Sequence, residues 1–151
     1  MSVKVAKTVF VGDTGVGKSC IAKRAFTPHF DPSQTPDSTI GAEFYEGTIK
    51  IDDSNDSIKF EIWDTAGQEA YRALTPVFFK QSVIAIFVFD ITKRKTIEAL
   101  DYYVKTLNEY EPNCFIAVVG NKIDLASQRE ISSEEGQQYA DKVGTGFYIE
   151  T

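Results

Sequence analysis

Apolar segments along the chain alternate with segments of helical pattern. Residues 3–11 form an apolar run that predicts a strand, and this run leads into the glycine-rich turn 12–17. Residues 18–26 then have the length and spacing of a short helix. Residues 83–89 and 114–119 are continuous β-branched and aromatic runs, which are typical of strands buried on both faces of a parallel sheet. The alternation predicts a layered α/β domain.

The remaining pattern completes such a domain. It predicts a surface loop over residues 27–38, a β-hairpin over 42–63, helices over 96–110 and 132–143, and a last strand over 146–151. Right-handed crossovers place helices on both faces of a mainly parallel, six-stranded sheet, with one hairpin strand antiparallel at its edge. Ligands bind such sheets at the carboxyl ends of the strands, so residues that follow strands are the candidates for chemistry.

Composition and charge narrow the classes of function. The 151 residues suffice for one domain, and 16 basic against 22 acidic residues give a net charge of −6, which disfavours binding to a nucleic-acid backbone. Cys20, Cys114 and His29 are too few for a disulfide framework or a zinc site, so we expect a reducing, intracellular environment. No apolar run approaches the roughly 20 residues that span a bilayer.

Residues 12–19 follow the first predicted strand and match the phosphate-binding pattern G-x-x-x-x-G-K-S. The glycines let backbone N–H groups curl round a phosphate chain, while Lys18 supplies charge to the outer phosphates and Ser19 a hydroxyl to Mg2+. The predicted phosphate contacts are therefore Gly15, Val16, Gly17, Lys18, Ser19 and Cys20. A chance glycine turn matches the pattern in roughly one in 200 chains of this length, and the flanking strand and helix argue further against chance.

Residues 64–68, Asp-Thr-Ala-Gly-Gln, follow the predicted strand that ends at Trp63. Asp64 can hold Mg2+ through water, Gly67 can turn its N–H towards a terminal phosphate, and the Gln68 amide can orient an attacking water. The spacing alone is weak, because chance supplies Asp-x-x-Gly in about half of chains of this size. The motif supports a magnesium and phosphate site because it directly follows a predicted core strand.

Residues 121–124, Asn-Lys-Ile-Asp, close the apolar run that begins at residue 114. The Asp124 carboxylate can accept both the N1–H and the exocyclic amino group of guanine, and adenine offers no such pair of donors. The motif predicts a guanine site containing Asn121, Lys122 and Asp124. A charged surface turn is the alternative for the tetrapeptide taken alone.

These motifs, with Ser-Thr-Ile-Gly at residues 38–41 between them, resemble the Rab branch of Ras-like small GTPases over the whole chain. The resemblance implies a three-layer P-loop NTPase domain that binds GTP or GDP with Mg2+ and hydrolyses GTP slowly without an activating protein. It implies catalytic roles for Lys18 and Gln68, and contact of Phe30 with the guanine ring. It also implies that Thr39 binds Mg2+ and the terminal phosphate, so the metal ligands are Ser19, Thr39 and Asp64.

The same resemblance implies partners and a cellular place. Phe44, Trp63 and Phe78 correspond to the aromatic triad through which Rabs present their two states to effectors, with plain core packing as the alternative. An exchange factor and an activating protein that supplies an arginine are implied as further partners in vesicle trafficking. The expected place is the cytosolic face of endomembranes, reached through a prenylated tail absent from this chain. Residues 38–42 and 59–63 most resemble early-endosomal members.

The chain departs from the family pattern in three places. Ala70 stands where Rabs usually carry arginine, and the loop over residues 30–39 is longer than usual. The sequence stops at Thr151, before the family's last guanine-contacting loop and C-terminal helix. We therefore expect residues 1–151 to be one truncated G domain.

Two other classes of function remain open at this point. One is an interaction module that binds nucleotide without turnover. The other is a phosphotransferase such as a nucleoside kinase, which usually needs a lid with several arginines, whereas residues 124–132 contain only Arg129. The Rho and Arf branches are disfavoured, because the same interval has no room for the Rho insert and Ser2 excludes the Arf myristate.

Overall fold

The computed structural model describes residues 3–26, 42–65 and 73–151. The strands are β1 Val3–Val11, β2 Ala42–Lys50, β3 Ser57–Thr65, β4 Ile84–Asp90, β5 Phe115–Asn121 and β6 Tyr148–Glu150. The α-helices are α1 Lys18–Phe26, α2 Thr75–Phe79, α3 Arg94–Glu98, α4 Leu100–Tyr110 and α5 Ser133–Lys142. A 3-10 helix covers Ile123–Gln128.

These strands form one six-stranded sheet in the order β2-β3-β1-β4-β5-β6. Every neighbouring pair is parallel except β2 and β3, which are antiparallel and place β2 at the sheet edge. The predicted mainly parallel, six-stranded sheet with one antiparallel edge strand is therefore confirmed. β3 extends to Thr65 because Ala42 and Glu43 of β2 continue the pairing with Thr65 and Asp64.

Side chains along the central strands alternate between two separate cores, one on each face of the sheet. The larger core joins the sheet to α2, α3, α4 and α5 through buried residues such as Val9, Phe79, Phe87, Leu100, Leu107 and Ala140. The smaller core joins it to α1 through Phe10, Val16, Ala22, Ile62, Val88 and Val119. Each fully buried side chain of this size contributes about 1.5 to 3 kcal/mol. The two cores give the predicted three layers.

Three helical features differ from the sequence prediction. The predicted helix over 96–110 begins earlier, at Arg94, and is interrupted at Ala99. The five-residue α2 was not predicted, because Pro76 and two adjacent phenylalanines resemble a turn and a strand more than a helix. The 3-10 helix after β5 was also missed. In the described residues, no helix has the length and apolar character needed to cross a membrane.

Candidate nucleotide-binding site

The predicted motifs meet at one edge of the sheet, where the parallel strands end. The glycine turn follows β1, Asp64 lies near the end of β3, and Asn121 ends β5. Gly15 and Gly17 have φ values of 80° and 101°, a backbone region that favours glycine. The turn therefore needs glycine for its shape as well as for access to its backbone.

The turn is tied to the end of β5. Asn121 Nδ2 donates a hydrogen bond to the carbonyl oxygen of Val16 at 2.8 Å, and the Val16 side chain is fully buried. A Cβ atom on Gly17 would lie 2.1 Å from the same Nδ2. Asn121 thus fixes the loop from the side, in a position that a side chain at residue 17 would block.

Lys18 lies inside the loop. Its Nζ donates to the carbonyl oxygens of Gly12 and Asp13, at 2.8 Å each, and the residue is 6% exposed. Burial lowers the pKa of Lys18 to about 8, while Asp64 and Asp13 oppose that shift. An ammonium held by two neutral carbonyls has a weaker counter-charge than a phosphate would provide, so the loop suits an anion.

Ser19 and Asp64 form a second polar pair beside Lys18. Ser19 Oγ donates to Asp64 Oδ2, and Asp64 Oδ1 is buried with no hydrogen-bond donor among the described residues. Burial also raises the pKa of Asp64, against the hydrogen bond from Ser19 and the charge of Lys18. A buried carboxylate oxygen without a donor, next to a hydroxyl, matches the hard oxygen ligands that Mg2+ prefers. These two side chains therefore fit the predicted metal site.

The metal site has few protein ligands in the described part of the chain. Residues 3–26, 42–65 and 73–151 contain no group of three or more His, Cys, Asp or Glu that could hold a metal ion. Mg2+ commonly takes one or two protein ligands together with water and substrate phosphates. The arrangement at Ser19 and Asp64 is consistent with that type of coordination.

The guanine motif lies where β5 enters the 3-10 helix. Lys122 has a φ of 71°, and Asp124 is exposed in the first turn of that helix. Lys122 Nζ lies 3.0 Å from Asp90 Oδ2, and the Asp90 side chain is 1% exposed. Burial raises the pKa of Asp90, but hydrogen bonds from Thr92 and Lys122 outweigh it and hold that pKa below its ordinary value.

Asp90 is a site residue that the sequence analysis missed. It ends β4, the strand between β1 and β5, and it fixes the side chain of Lys122. A carboxylate directly after the apolar run 83–89 was the available signal, since the other motifs also follow strands. Without a recognisable pattern around it, a single aspartate was not singled out.

The structure brings the three predicted aromatic residues together. The Phe44 and Trp63 rings meet edge to face with centroids 5.2 Å apart, and the Trp63 and Phe78 centroids are 6.4 Å apart. Phe44 is 44% exposed, so the group continues from the sheet to the surface. This surface, made of Phe44, Trp63 and Phe78, is called the aromatic triad below.

Several predicted site residues lie outside the described part of the chain. They are the predicted guanine contact Phe30, the metal ligand Thr39, the phosphate contact Gly67, the catalytic Gln68 and the departure at Ala70. Their roles stay predictions from the sequence.

Comparison with known proteins gives the family. The Ras family model matches residues 7–151. Human Rab-22A is 43% identical over 152 aligned residues, which cover 100% of this chain and 76% of that protein. Rat Rab-31 is 41% identical, with 100% and 75% covered, and the putative Rab-5B of Dictyostelium discoideum is 42% identical, with 96% and 65% covered. The chain therefore belongs to the Ras family, and within it to the Rab-type small GTPases.

Proposed function

We propose that this guanine nucleotide-binding GTPase switches between its two states with the residues gathered at the carboxyl edge of its sheet. Gly15, Val16, Gly17, Lys18, Ser19 and Cys20 hold the phosphates. The buried Lys18 ammonium, whose hydrogen-bond acceptors among the described residues are two neutral carbonyl oxygens, is the observation that carries the proposal. A phosphate oxygen would give that ammonium a charged partner at the same place.

The proposed metal ion is Mg2+, with Ser19, Thr39 and Asp64 as its protein ligands. Support comes from the buried Asp64 Oδ1, which lacks a donor among the described residues, and from the Ser19 hydroxyl beside it. When bound, Mg2+ neutralises charge on the β- and γ-phosphates. Lys18 adds a second positive charge to the same phosphates.

In the proposed hydrolysis, the Gln68 amide orients a water for in-line attack on the γ-phosphorus. The bond from that phosphorus to the β–γ bridging oxygen breaks, giving GDP and inorganic phosphate. An arginine from an activating protein adds roughly 10^3 to 10^5 in rate. Loss of the γ-phosphate removes the contacts of Thr39 and Gly67, which changes the surface that effectors meet.

The base specificity is proposed to come from Asp124, with Asn121 and Lys122 as supports. Asn121 donates to the phosphate loop, and Lys122 is held by the buried Asp90. Asp124 itself is exposed, so its carboxylate is accessible to a base. Phe30 is proposed to pack on the guanine ring.

We propose vesicle-trafficking effectors, an exchange factor and an activating protein as partners. The exposed edge of the aromatic triad supports an effector surface. The proposed place is the cytosolic face of early-endosomal membranes, with a prenylated tail beyond this chain as the anchor. The similarity of residues 38–42 and 59–63 to early-endosomal Rabs supports that assignment.

Substitution of Ser19 tests the metal assignment. Ser19→Asn would remove the hydroxyl that is proposed to hold Mg2+ and should weaken GTP more than GDP, because the ion would neutralise more phosphate charge in the triphosphate. At millimolar Mg2+ the ratio of the two dissociation constants should change by on the order of tenfold, or about 1.4 kcal/mol. Competition binding measures both constants.

The matched control is Ser54→Asn, which makes the same change in the exposed turn between β2 and β3. It should leave the ratio unchanged. If Ser19→Asn binds GTP and GDP in the same ratio as the parent, the proposed role of Ser19 at the metal is wrong.

A further inference from the structure

The chain leaves α2 through a tight turn whose backbone is hydrogen-bonded by two residues distant in sequence, Lys7 and Glu111. Lys7 Nζ, from β1, donates to the carbonyl oxygen of Lys80 at 2.7 Å. Glu111 Oε1, from the end of α4, accepts the N–H of Gln81 at 2.6 Å. Gln81 has a φ of 64°, a conformation that a residue other than glycine adopts only when its surroundings impose it.

Lys7 also contacts the aromatic triad. Its Nζ lies 5.2 Å from the centroid of the Trp63 ring, within the range of a cation–π interaction. Its own carbonyl oxygen accepts a hydrogen bond from the N–H of Val83, the residue before β4, at 2.9 Å. One lysine therefore joins Trp63, the end of α2 and the strand that follows.

Burying the Lys7 ammonium costs desolvation energy, which an apolar side chain at the same position would not cost. Lys7 lies on the same face of β1 as Val9 and Val11, which belong to the larger core. Burial lowers the pKa of Lys7, while the charges of Glu111 and Glu61 oppose that shift. An apolar residue would avoid this desolvation, so the contacts of the ammonium are the distinctive property of the residue.

The turn is coupled directly to Phe78. The N–H of Ser82 donates to the carbonyl oxygen of Phe79 at 3.0 Å, and its hydroxyl donates to the carbonyl oxygen of Phe78 at 3.3 Å. A shift of the turn would therefore move Phe78 relative to Trp63. The two rings are already at 6.4 Å, where a small displacement changes their contact.

We infer that Lys7 is a positioning residue which, together with Glu111, clamps the exit of α2 and sets the spacing of Trp63 and Phe78. The clamp itself rests on contacts of this chain alone. Its consequence for partner binding rests on the proposed function of the aromatic triad. The two can be tested separately, because neither measurement below requires an effector.

Amide hydrogen exchange on the GDP-loaded chain tests the clamp. Glu111→Ala should speed exchange of the Gln81 amide roughly tenfold to a hundredfold, the loss expected for one charge-assisted hydrogen bond. Glu109→Ala is the matched control, since Glu109 is an exposed residue on the same helix. Unchanged Gln81 exchange in Glu111→Ala would overturn the clamp. Glu109 is exposed and Glu111 is half-buried, and neither belongs to the two cores, so both variants are expected to fold.

The fluorescence of Trp63, the only tryptophan, tests the role of Lys7. Lys7→Met should shift the emission of Trp63, and Lys7→Arg, which restores a cation and donors, should return it towards the parent. Lys4→Met is the control, because it makes the same change at an exposed position on the opposite face of β1. A Lys7→Met spectrum equal to that of the parent would overturn the inference.

Two nucleotide states separate failure of the clamp from failure of the proposed function. The parent should show different Trp63 emission with GDP and with a non-hydrolysable GTP analogue, and Lys7→Met should reduce that difference. A parent without any difference contradicts the proposed role of the triad as a nucleotide-dependent surface. A parent with the difference, and a Lys7→Met variant that retains all of it, contradicts only the positioning role of Lys7.

Discussion

At the scale of single residues, the site contains two kinds of buried carboxylate. One kind is fully paired within the chain, and the other has an oxygen with no hydrogen-bond donor among the described residues. Asp90 is of the first kind, because it is buried and its carboxylate accepts hydrogen bonds from Lys122 and Thr92. Asp64 is of the second kind, because its Oδ2 accepts a hydrogen bond from Ser19 while its Oδ1 has no donor among the described residues. A buried polar atom without a partner carries an uncompensated desolvation penalty. A ligand that binds to this atom removes the penalty, and its binding is favoured by that amount.

Asp124 gives the sharpest prediction at this scale. Asp124→Asn should shift preference from guanine towards xanthine nucleotides, because an amide can donate to the xanthine 2-oxygen where the carboxylate can only accept. Competition binding with GDP and XDP measures the preference. Asp52→Asn, in the exposed turn after β2, is the control. An Asp124→Asn variant that keeps the parent's guanine preference would remove Asp124 from the base site.

The residues of the site were predictable to different degrees. Lys18, Ser19 and Asn121 belong to patterns whose spacing has a mechanical reason, so the sequence was sufficient to nominate them. Asp90 and Lys7 act through partners that are distant in sequence and near only in the folded chain. Their partners follow from strand order and register, which the hydrophobic pattern does not specify.

At the scale of elements, one ion-pair network joins the segments that follow the guanine motif. Arg129 donates to both oxygens of Glu150, at 2.7 and 3.3 Å, and Ser133 and Tyr148 each donate to the same carboxylate at 2.8 Å. The network links the end of the 3-10 helix, the start of α5 and β6. The hydrogen bond from Arg129, opposed by desolvation, is the largest influence that lowers the pKa of Glu150 to about 2.

That shift predicts a defined dependence of stability on pH. Because the folded pKa lies below the unfolded value, the network's contribution is complete above the ordinary glutamate pKa of 4.5 and is lost as the pH falls towards about 2. After allowance for screening by solvent, the contribution is about 1 to 2 kcal/mol. Glu150→Gln should therefore lower the free energy of unfolding at pH 6, and its difference from the parent should become smaller as the pH falls from 4.5 to 3.

Urea unfolding of the parent and Glu150→Gln across this pH range makes the measurement. Glu109→Gln, an exposed substitution on α4, is the control and should follow the parent throughout. A constant difference between the parent and Glu150→Gln from pH 6 to pH 3 would contradict the assigned ionisation.

Element bounds also show what local pattern can and cannot specify. β1 and α1 have the predicted bounds, because a buried apolar run and a glycine turn delimit them. Ser132 caps the start of α5, because its hydroxyl oxygen accepts a hydrogen bond from the N–H of Glu135 at 3.1 Å. Gly136, in contrast, weakens the helical pattern of α5 for a tertiary reason: a Cβ there would lie 2.3 Å from the Tyr148 ring.

At the scale of the whole molecule, the sheet brings together residues that are far apart along the chain. Lys18 follows β1, Asp64 lies near the end of β3 and Asn121 ends β5. They meet because β3, β1, β4 and β5 are parallel neighbours whose carboxyl ends share one edge. Two residues of the aromatic triad, Phe44 and Trp63, lie on β2 and β3 of the same sheet, and Phe78 joins them from α2. The architecture thus places Trp63 of the triad next in sequence to Asp64 of the candidate metal site.

Single-turnover hydrolysis of bound GTP, with and without an activating protein, tests the account most directly. Gln68→Leu should bind GTP nearly as the parent does and hydrolyse it more slowly in both conditions, because leucine cannot orient the attacking water. Gln138→Leu, an exposed substitution on α5, should hydrolyse at the parental rate. A Gln68→Leu variant that hydrolyses GTP as fast as the parent in both conditions would contradict the water-orienting mechanism.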